Sequence, residues 1–341
     1  MGARRGRQIV VRDYADDAIG PEHFEMVVAE VRGLEEGEVL VRNWWTSVDP
    51  GMRLRLRPDP PAGYFPQFKL GEPLDGVLTV GEVIESRAEG FSPGDVVWHP
   101  FGWRELSIVA ADVNYMNGVA RLQVLDMDGV EPQHYLGALG SMGLTAYAGL
   151  SMVGALSGGE TVWVSAAAGA VGSLAVQFAL RSGNRVVASA GSSAKVAWLE
   201  SLGATAFNWR STSVAEGLAQ AAPEGIDVYF DNVGGGHLEA ALAALRPGGR
   251  VALCGSVSEY ESAPMGPANL FQATAKELTL RGFRGSLHLD LLPEMQSEVR
   301  SMVKDGSLVY EESIYDGLER APEAMSDMLA GRSMGKVLVR I

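Results

Sequence analysis

Thr161–Leu180 reads TVWVSAAAGAVGSLAVQFAL, and its two halves carry different signatures. Thr161-Val162-Trp163-Val164-Ser165 is a short apolar run of the kind that makes a buried strand. Val171, Leu174, Ala175 and Phe178 then recur at i, i+3, i+4 and i+7, one apolar face of a helix. Between them lies Ala167-Ala168-Gly169-Ala170-Val171-Gly172. Small residues at such a turn let the backbone approach a bound pyrophosphate, and the amides opening the helix point at the anion with the helix dipole behind them. The dinucleotide fingerprint G-x-G-x-x-G is met here by Ala167-x-Gly169-x-x-Gly172, with alanine where the first glycine makes the tight turn. Strand before and helix after favour a nucleotide site over a turn that is merely packed too tightly for side chains.

Outward from this unit the chain has two characters. From about Tyr135 helix alternates with strand: Arg185–Ala188, Ala204–Asn208, Ile226–Phe230, Arg250–Cys254 and Leu278–Phe283 read as strands. Ala194–Leu202 and His237–Leu245 read as helices, the latter ending at Pro247-Gly248-Gly249. That alternation predicts a parallel sheet covered on both faces. Before it, Gln8–Val11, Phe24–Val28, Glu38–Arg42, Gly76–Ile84, Asp95–Trp98 and Trp103–Val109 read as strands of an antiparallel, barrel-like domain. Met334–Ile341 is again strand-like and is expected to return to that first domain.

With 341 residues, two domains are the natural count. The net charge of −14 disfavours a nucleic-acid or anionic-membrane partner. The one cysteine, Cys254, excludes an internal disulfide and fits a reducing, cytoplasmic setting. No apolar run is long enough to span a bilayer, and MGARRGR lacks the apolar core of a signal peptide, so it reads as a frayed, solvated end.

The second strand of the nucleotide unit selects the cofactor. An acidic residue about 20 residues past the glycines binds the ribose 2′-hydroxyl of NAD. Here the chain reads Ser189-Ala190-Gly191-Ser192-Ser193-Ala194-Lys195, with no carboxylate. Two serines and a lysine attract a 2′-phosphate, so NADP(H) is expected. Ser192 and Ser193 also read as helix caps, and Arg210, after Trp209, adds a further charge.

The sequence resembles the zinc-independent medium-chain dehydrogenases/reductases, in particular the prostaglandin reductase (leukotriene B4 12-hydroxydehydrogenase) and plant double-bond reductase family. The likeness runs nearly end to end through Ser47-Val48-Asp49-Pro50, Tyr64 with Gly71-Glu72-Pro73, Gly102-Trp103-Arg104-Glu105, Gly143–Tyr147, Ala166–Gly172, Phe207-Asn208-Trp209, Asp231–Gly235 and Gly335-Lys336. It implies an α/β architecture: a GroES-like β-barrel domain over residues 1–137 and 306–341, and a Rossmann doubly wound parallel-sheet domain over 138–305, with the cofactor in the cleft between. It implies NADPH-dependent reduction of the activated C=C bond of an enone or enal. Carried onto matching positions, Gly169, Ala170, Val171 and Gly172 hold the pyrophosphate. Ser192, Lys195 and Trp209 take the 2′-phosphate side. Asn232, Cys254, Gly255, Ser256, Ser258 and Tyr260 line ribose and nicotinamide. Phe283, Arg284 and Gly285 meet the carboxamide, and Ser333 stands at a further cofactor position. Tyr64 and Tyr260 are candidates for the contact to the substrate carbonyl. Family members commonly form homodimers through the edge at Leu278–Phe283.

Three positions depart from the family. Gly51 stands where a tyrosine commonly follows Asp-Pro, Ala275 where eukaryotic members have a tyrosine, and Ser333 where an asparagine precedes Gly-Lys by two. The lost bulk at Gly51 and Ala275 predicts a roomier pocket. No metal is expected, because His23, His99, His134, His237 and His288 lack ligand spacing and read as surface or locally bonded residues. Rival readings are an NADP-dependent secondary-alcohol dehydrogenase or quinone oxidoreductase, and a non-catalytic NADPH-binding protein.

Overall fold

The computed structural model describes residues 4–115, 120–262 and 265–341. The chain folds into two compact units, Met1–Gly140 with Glu312–Ile341, and Ser141–Glu311.

In the first unit β1 (Arg4–Val11) pairs antiparallel with β2 (Phe24–Val31). A mixed sheet contains β3 (Glu38–Ser47), β4 (Asp75–Ser86), β5 (Val96–Phe101), β6 (Leu106–Ala110) and β9 (Gln123–Val124). It also takes in the C-terminal β16 (Glu312–Asp316) and β17 (Lys336–Arg340). The order is β16-β17-β3-β4-β5-β9, with β6 also on β3. β7 (Asn114–Tyr115) and β8 (Ala120–Arg121) form a separate small pair. The tail does return: Leu338 and Val339 lie opposite Ser47 and Thr46. A short helix, α1 (Met52–Arg55), follows β3, and α9 (Ala321–Leu329) precedes β17. Ile9, Val11, Leu56, Phe68, Leu74, Trp103 and Val337 share one core, and Val39, Val41, Val83, Val97 and Val109 a second.

In the second unit the sheet order is β12-β11-β10-β13-β14-β15. The strands are β10 (Thr161–Val164), β11 (Arg185–Ala190), β12 (Thr205–Asn208), β13 (Ile226–Asp231), β14 (Leu245–Leu253) and β15 (Thr279–Gly282), all parallel. Counted within the unit this is 3-2-1-4-5-6, the doubly wound order. Helix α2 (Ser141–Ala148) opens the unit and α8 (Leu292–Asp305) follows the last strand. Helices α3 (Ala170–Arg181), α4 (Ser193–Ser201), α5 (Val214–Ala221) and α6 (Gly235–Ala244) make the crossovers, and α7 (Phe271–Ala275) precedes β15. Every residue of β10 is buried, as a central strand covered on both faces must be.

Four readings need correction. Arg4–Arg7 are not frayed: they extend β1, with Arg4, Arg5 and Arg7 paired to Glu85, Glu30 and Glu105. Met1–Ala3 lie outside the described residues. Trp103 is not in a strand but in a left-handed turn (φ 55°) ahead of β6. Pro247-Gly248-Gly249 does not stand between a helix and the next strand. It lies inside β14, where the register against β13 shifts, so the irregularity absorbs the proline that a regular ladder excludes. Finally, α3 is buried all round from Gly172 to Ala179, including Ser173 and Gln177, while Val171 is only half-buried. A one-sided apolar pattern understates this burial because Gln177 hydrogen-bonds the Val309 backbone in both directions, at 2.9 and 2.8 Å.

Candidate functional site

Because β10–β15 are parallel, their carboxyl ends share one edge of the sheet, and the order reverses between β10 and β13, where such sheets bind ligands. The second-unit candidates all fall there. Gly169–Gly172 follow β10, Ser192 and Lys195 follow β11, and Trp209 follows β12. Asn232 follows β13, Cys254–Tyr260 follow β14, and Phe283–Gly285 follow β15.

At the first of these ends the left-handed residue is Ala166 (φ 45°), not Ala167. Gly169 is the N-cap of α3 and offers no side-chain cap, leaving the first-turn amides without a side-chain acceptor. The two glycines have different duties. A Cβ on Gly172 would fall 2.4 Å from the Ala166 carbonyl oxygen and 2.8 Å from the Ala167 Cα, so Gly172 is required for helix–strand packing. A Cβ on Gly169 would meet only the Ala166 oxygen, at 3.3 Å, so its other side is open for a ligand to approach.

At the end of β11, Ser192 caps α4 by accepting from the Lys195 amide at 3.4 Å. A Cβ on Gly191 would lie 3.3 Å from Arg210 Nε and 3.4 Å from Trp209 Nε1. The Arg210 guanidinium sits 5.2 Å from the Trp209 ring centroid. Partial burial lowers the Lys195 pKa, and the Arg210 charge lowers it further. Arg210 stands against Gly191 and its charge reaches Lys195; with no carboxylate from Ser189 to Lys195, an anion bound there would relieve that repulsion.

At β13 and β14 the two loops are tied together. Asp231 is buried and accepts from Tyr229 Oη (2.8 Å), Val233 N (2.9 Å) and Gly234 N (2.8 Å). Burial raises its pKa against the pull of those bonds. Ser165, which sequence reasoning passed over, accepts from the Asn232 amide at 3.0 Å, and its carbonyl receives the Asn232 side chain at 2.8 Å. Val257 N bonds Asn232 O and Ser258 Oγ bonds Val233 O. Burial and the nearby Asp231 push the Cys254 thiol up to about 12, although the residue as a whole is only half-buried. The Tyr260 hydroxyl lies 3.3 Å from where a Gly255 Cβ would stand. At β15, Phe283 packs edge-on against Phe230, and a Cβ on Gly285 would strike Thr145 Oγ1 at 2.4 Å. Ala275, the last residue of α7, is exposed.

Tyr64 and Ser333 belong to the first unit. Tyr64 is half-buried, and its hydroxyl lies against Gly51. The space expected from the lost bulk at Gly51 is therefore already filled by that hydroxyl. The turn carrying Gly51 is clamped by Lys336, whose buried Nζ donates to Ser47 Oγ (2.7 Å), Val48 O (3.0 Å) and Asp49 Oδ1 (2.8 Å). Ser47 Oγ in turn donates to Asp49 Oδ2. Of the first-unit aromatics, Phe68 and Trp103 lie in the core.

Residues 7–116 match the family described as the N-terminal domain of oxidoreductase, and residues 170–303 match that described as zinc-binding dehydrogenase. The NADP(+)-dependent 2-alkenal reductase of Nicotiana tabacum is 37% identical over 344 residues, covering 98% of this chain and 97% of its own. Prostaglandin reductase 1 of Bos taurus is 37% identical over 331 residues and 93% of each chain. The chain belongs to the zinc-independent medium-chain dehydrogenases/reductases. The crystal structure of CurA from Vibrio vulnificus in complex with NADPH superposes on this medium-chain reductase with a TM-score of 0.89, 31% identity and 98% coverage of both.

Among the described residues of this family member, no group of three or more His, Cys, Asp or Glu could hold a metal ion. His99 and His237 are buried rather than at the surface. The His99 ring is locked by Asn43 Oδ1 at 2.9 Å on Nε2 and by the Phe101 amide at 3.2 Å on Nδ1, and burial drives its pKa down to about 3. The second-unit residues fit an NADP-type dinucleotide in their donor chemistry: first-turn amides that Gly169 does not cap, the cations Lys195 and Arg210, and backbone loops after β13 and β14.

Proposed function

We propose that this protein reduces the activated C=C bond of α,β-unsaturated ketones and aldehydes with NADPH. The likeness to an NADP(+)-dependent 2-alkenal reductase and to prostaglandin reductase 1 supports the reaction, and the cofactor choice rests on Lys195 and on Arg210 beside Gly191, where a carboxylate selective for NAD is missing. The amides of Ala170, Val171 and Gly172, opened by Gly169, bind the pyrophosphate. Lys195, with Ser192, Trp209 and Arg210, binds the 2′-phosphate. Asn232, Cys254, Gly255, Ser256, Ser258 and Tyr260 orient ribose and nicotinamide. The backbone of Phe283, Arg284 and Gly285 takes the carboxamide, and Ser333 is a further cofactor contact. NADPH supplies the hydride that adds to the β-carbon. Negative charge then collects on the substrate's carbonyl oxygen, and a donor aimed at that oxygen gives the main electrostatic stabilisation. Tyr64 and Tyr260 each offer a phenolic hydroxyl for this, and the α-carbon takes its proton from solvent. The domain limits expected from sequence, near 137–138 and 305–306, fall three and six residues before the limits of the two compact units, 140/141 and 311/312.

Two further elements belong to this reading. The β15 edge, with Phe271 76% and Leu287 54% exposed beside it in sequence, supports a homodimer built on that edge. A cytoplasmic location suits the single, free Cys254, and no helix among the described residues is long and apolar enough to cross a membrane. The deciding assay follows NADPH oxidation with an enone, a simple ketone and a quinone in parallel, using cofactor deuterated at C4. Turnover of the enone with deuterium at the β-carbon is expected. Turnover of the ketone or quinone alone, or none at all, would reject the proposal.

A further inference from the structure

Gly51 has φ −60° and ψ −20°, an ordinary right-handed helical conformation open to any L-residue. Replacing glycine by alanine at such a place ordinarily stabilises a protein, because the unfolded chain loses freedom. Conformation therefore does not call for glycine here; space does. A Cβ on Gly51 would lie 2.5 Å from the Tyr64 hydroxyl oxygen, but 3.5 Å from Tyr64 Cζ and 3.7 Å from Cε1. Those last two are ordinary van der Waals contacts. The single atom in conflict is the phenolic oxygen.

Both sides of this contact are braced. On one side the Lys336 clamp fixes Ser47–Asp49, and the Met52 amide bonds the Asp49 carbonyl at 3.0 Å across the turn. On the other, Arg55 donates to Pro66 O at 2.7 Å and to Asp75 O at 2.6 Å, and lies 3.6 Å over the Phe68 ring, while the Tyr64 ring leans on Phe65 at 4.6 Å. Tyr64 and Gly51 are both half-buried, so neither is sealed in the core.

We propose that Gly51 is the positioning residue for Tyr64: its missing side chain is the seat of the phenolic oxygen, and it sets where the donor to the substrate's carbonyl oxygen stands. This rests on the assignment of Tyr64 as a donor. A side chain at position 51 would not break the turn. It would push the hydroxyl from its seat, and the reaction would lose the donor while the fold remained.

The test is a cycle of four proteins, native, G51A, Y64F and G51A/Y64F, compared by calorimetric Tm, NADPH Kd, and kcat and KM on one enone. In the Y64F background the clash is gone, so G51A is expected to raise Tm by about 1–4 °C. In the native background it is expected to give no gain or a loss. G51A is expected to lower kcat about as much as Y64F does, by roughly 10-fold or more on the loss of one transition-state donor. The double variant is expected to fall no further, with NADPH Kd unchanged throughout. Equal Tm shifts in both backgrounds, or additive losses of kcat, would overturn the inference. A Y64F enzyme with native kcat would instead overturn the donor assignment on which it rests.

Discussion

Lys336→Met removes the ammonium at the centre of the Ser47–Val48–Asp49 clamp. Lys336 is 1% exposed and makes three hydrogen bonds of 2.7–3.0 Å, one of them to a carboxylate. Methionine keeps most of the volume, so the cavity contribution is small. What is lost is the partner of Asp49. Breaking one side of a buried ion pair costs about 3–5 kcal/mol, because the remaining charge is stranded. The Asp49 side chain is 23% exposed and keeps the Ser47 hydroxyl, which places the expectation at the low end, about 3 kcal/mol. For a unit of 150–250 residues this is a fall in Tm of about 6–12 °C. Scanning calorimetry at fixed protein concentration reads it. Adding Asp49→Asn to Lys336→Met should restore much of the loss, since an amide carries no charge to strand. A single-variant loss below about 1 kcal/mol, or a double variant worse than the single, would refute the reasoning.

Other perturbations have separate signatures. Gly172→Ala forces a Cβ to 2.4 Å from a backbone oxygen and is expected to lose about 1–3 kcal/mol of stability, read by urea unfolding. Gly169→Ala, with one contact at 3.3 Å, is expected to stay within about 0.5 kcal/mol in the same unfolding measurement while weakening NADPH at least about 10-fold by titration calorimetry. His99 has a folded pKa of about 3 against an ordinary 6.5, so its contribution is fully present above about 6.5 and is lost as pH falls toward 3. Between pH 6.5 and 5 this amounts to about 2 kcal/mol, and His99→Gln should remove that share of the slope in urea unfolding at stepped pH. An unchanged slope would mean that His99 titrates normally.

The parallel sheet was legible because β10, β11 and β13 have apolar centres at Val162–Val164, Val186–Ala188 and Val228–Phe230, and the Gly169–Gly172 turn because Ala and Gly crowd the join between a strand and a helix. NADPH preference was legible from one absence, the carboxylate missing between Ser189 and Lys195. The rest depends on long-range contacts that no local pattern encodes. Arg4–Arg7 look like a loose basic end until Glu30, Glu85 and Glu105 are brought alongside. Ser165 is an ordinary serine until β13 places Asn232 on it. Gly51 looks like lost bulk until Tyr64, thirteen residues on in sequence, fills the gap. His99 and His237 carry no sign of burial, since their environment is supplied by other strands and helices.

The central claim is that a lysine and an arginine, in place of a carboxylate, select the 2′-phosphorylated cofactor. Titration calorimetry of the native protein and of Lys195→Ala with NADPH and NADH tests it directly. The native protein should bind NADPH at least about 10–100-fold more tightly than NADH, and Lys195→Ala should lose most of that ratio with NADH affinity unchanged, since a charge-assisted contact contributes about 1.5–3 kcal/mol. Equal affinity of the native protein for the two cofactors, or a ratio that survives Lys195→Ala intact, would contradict it.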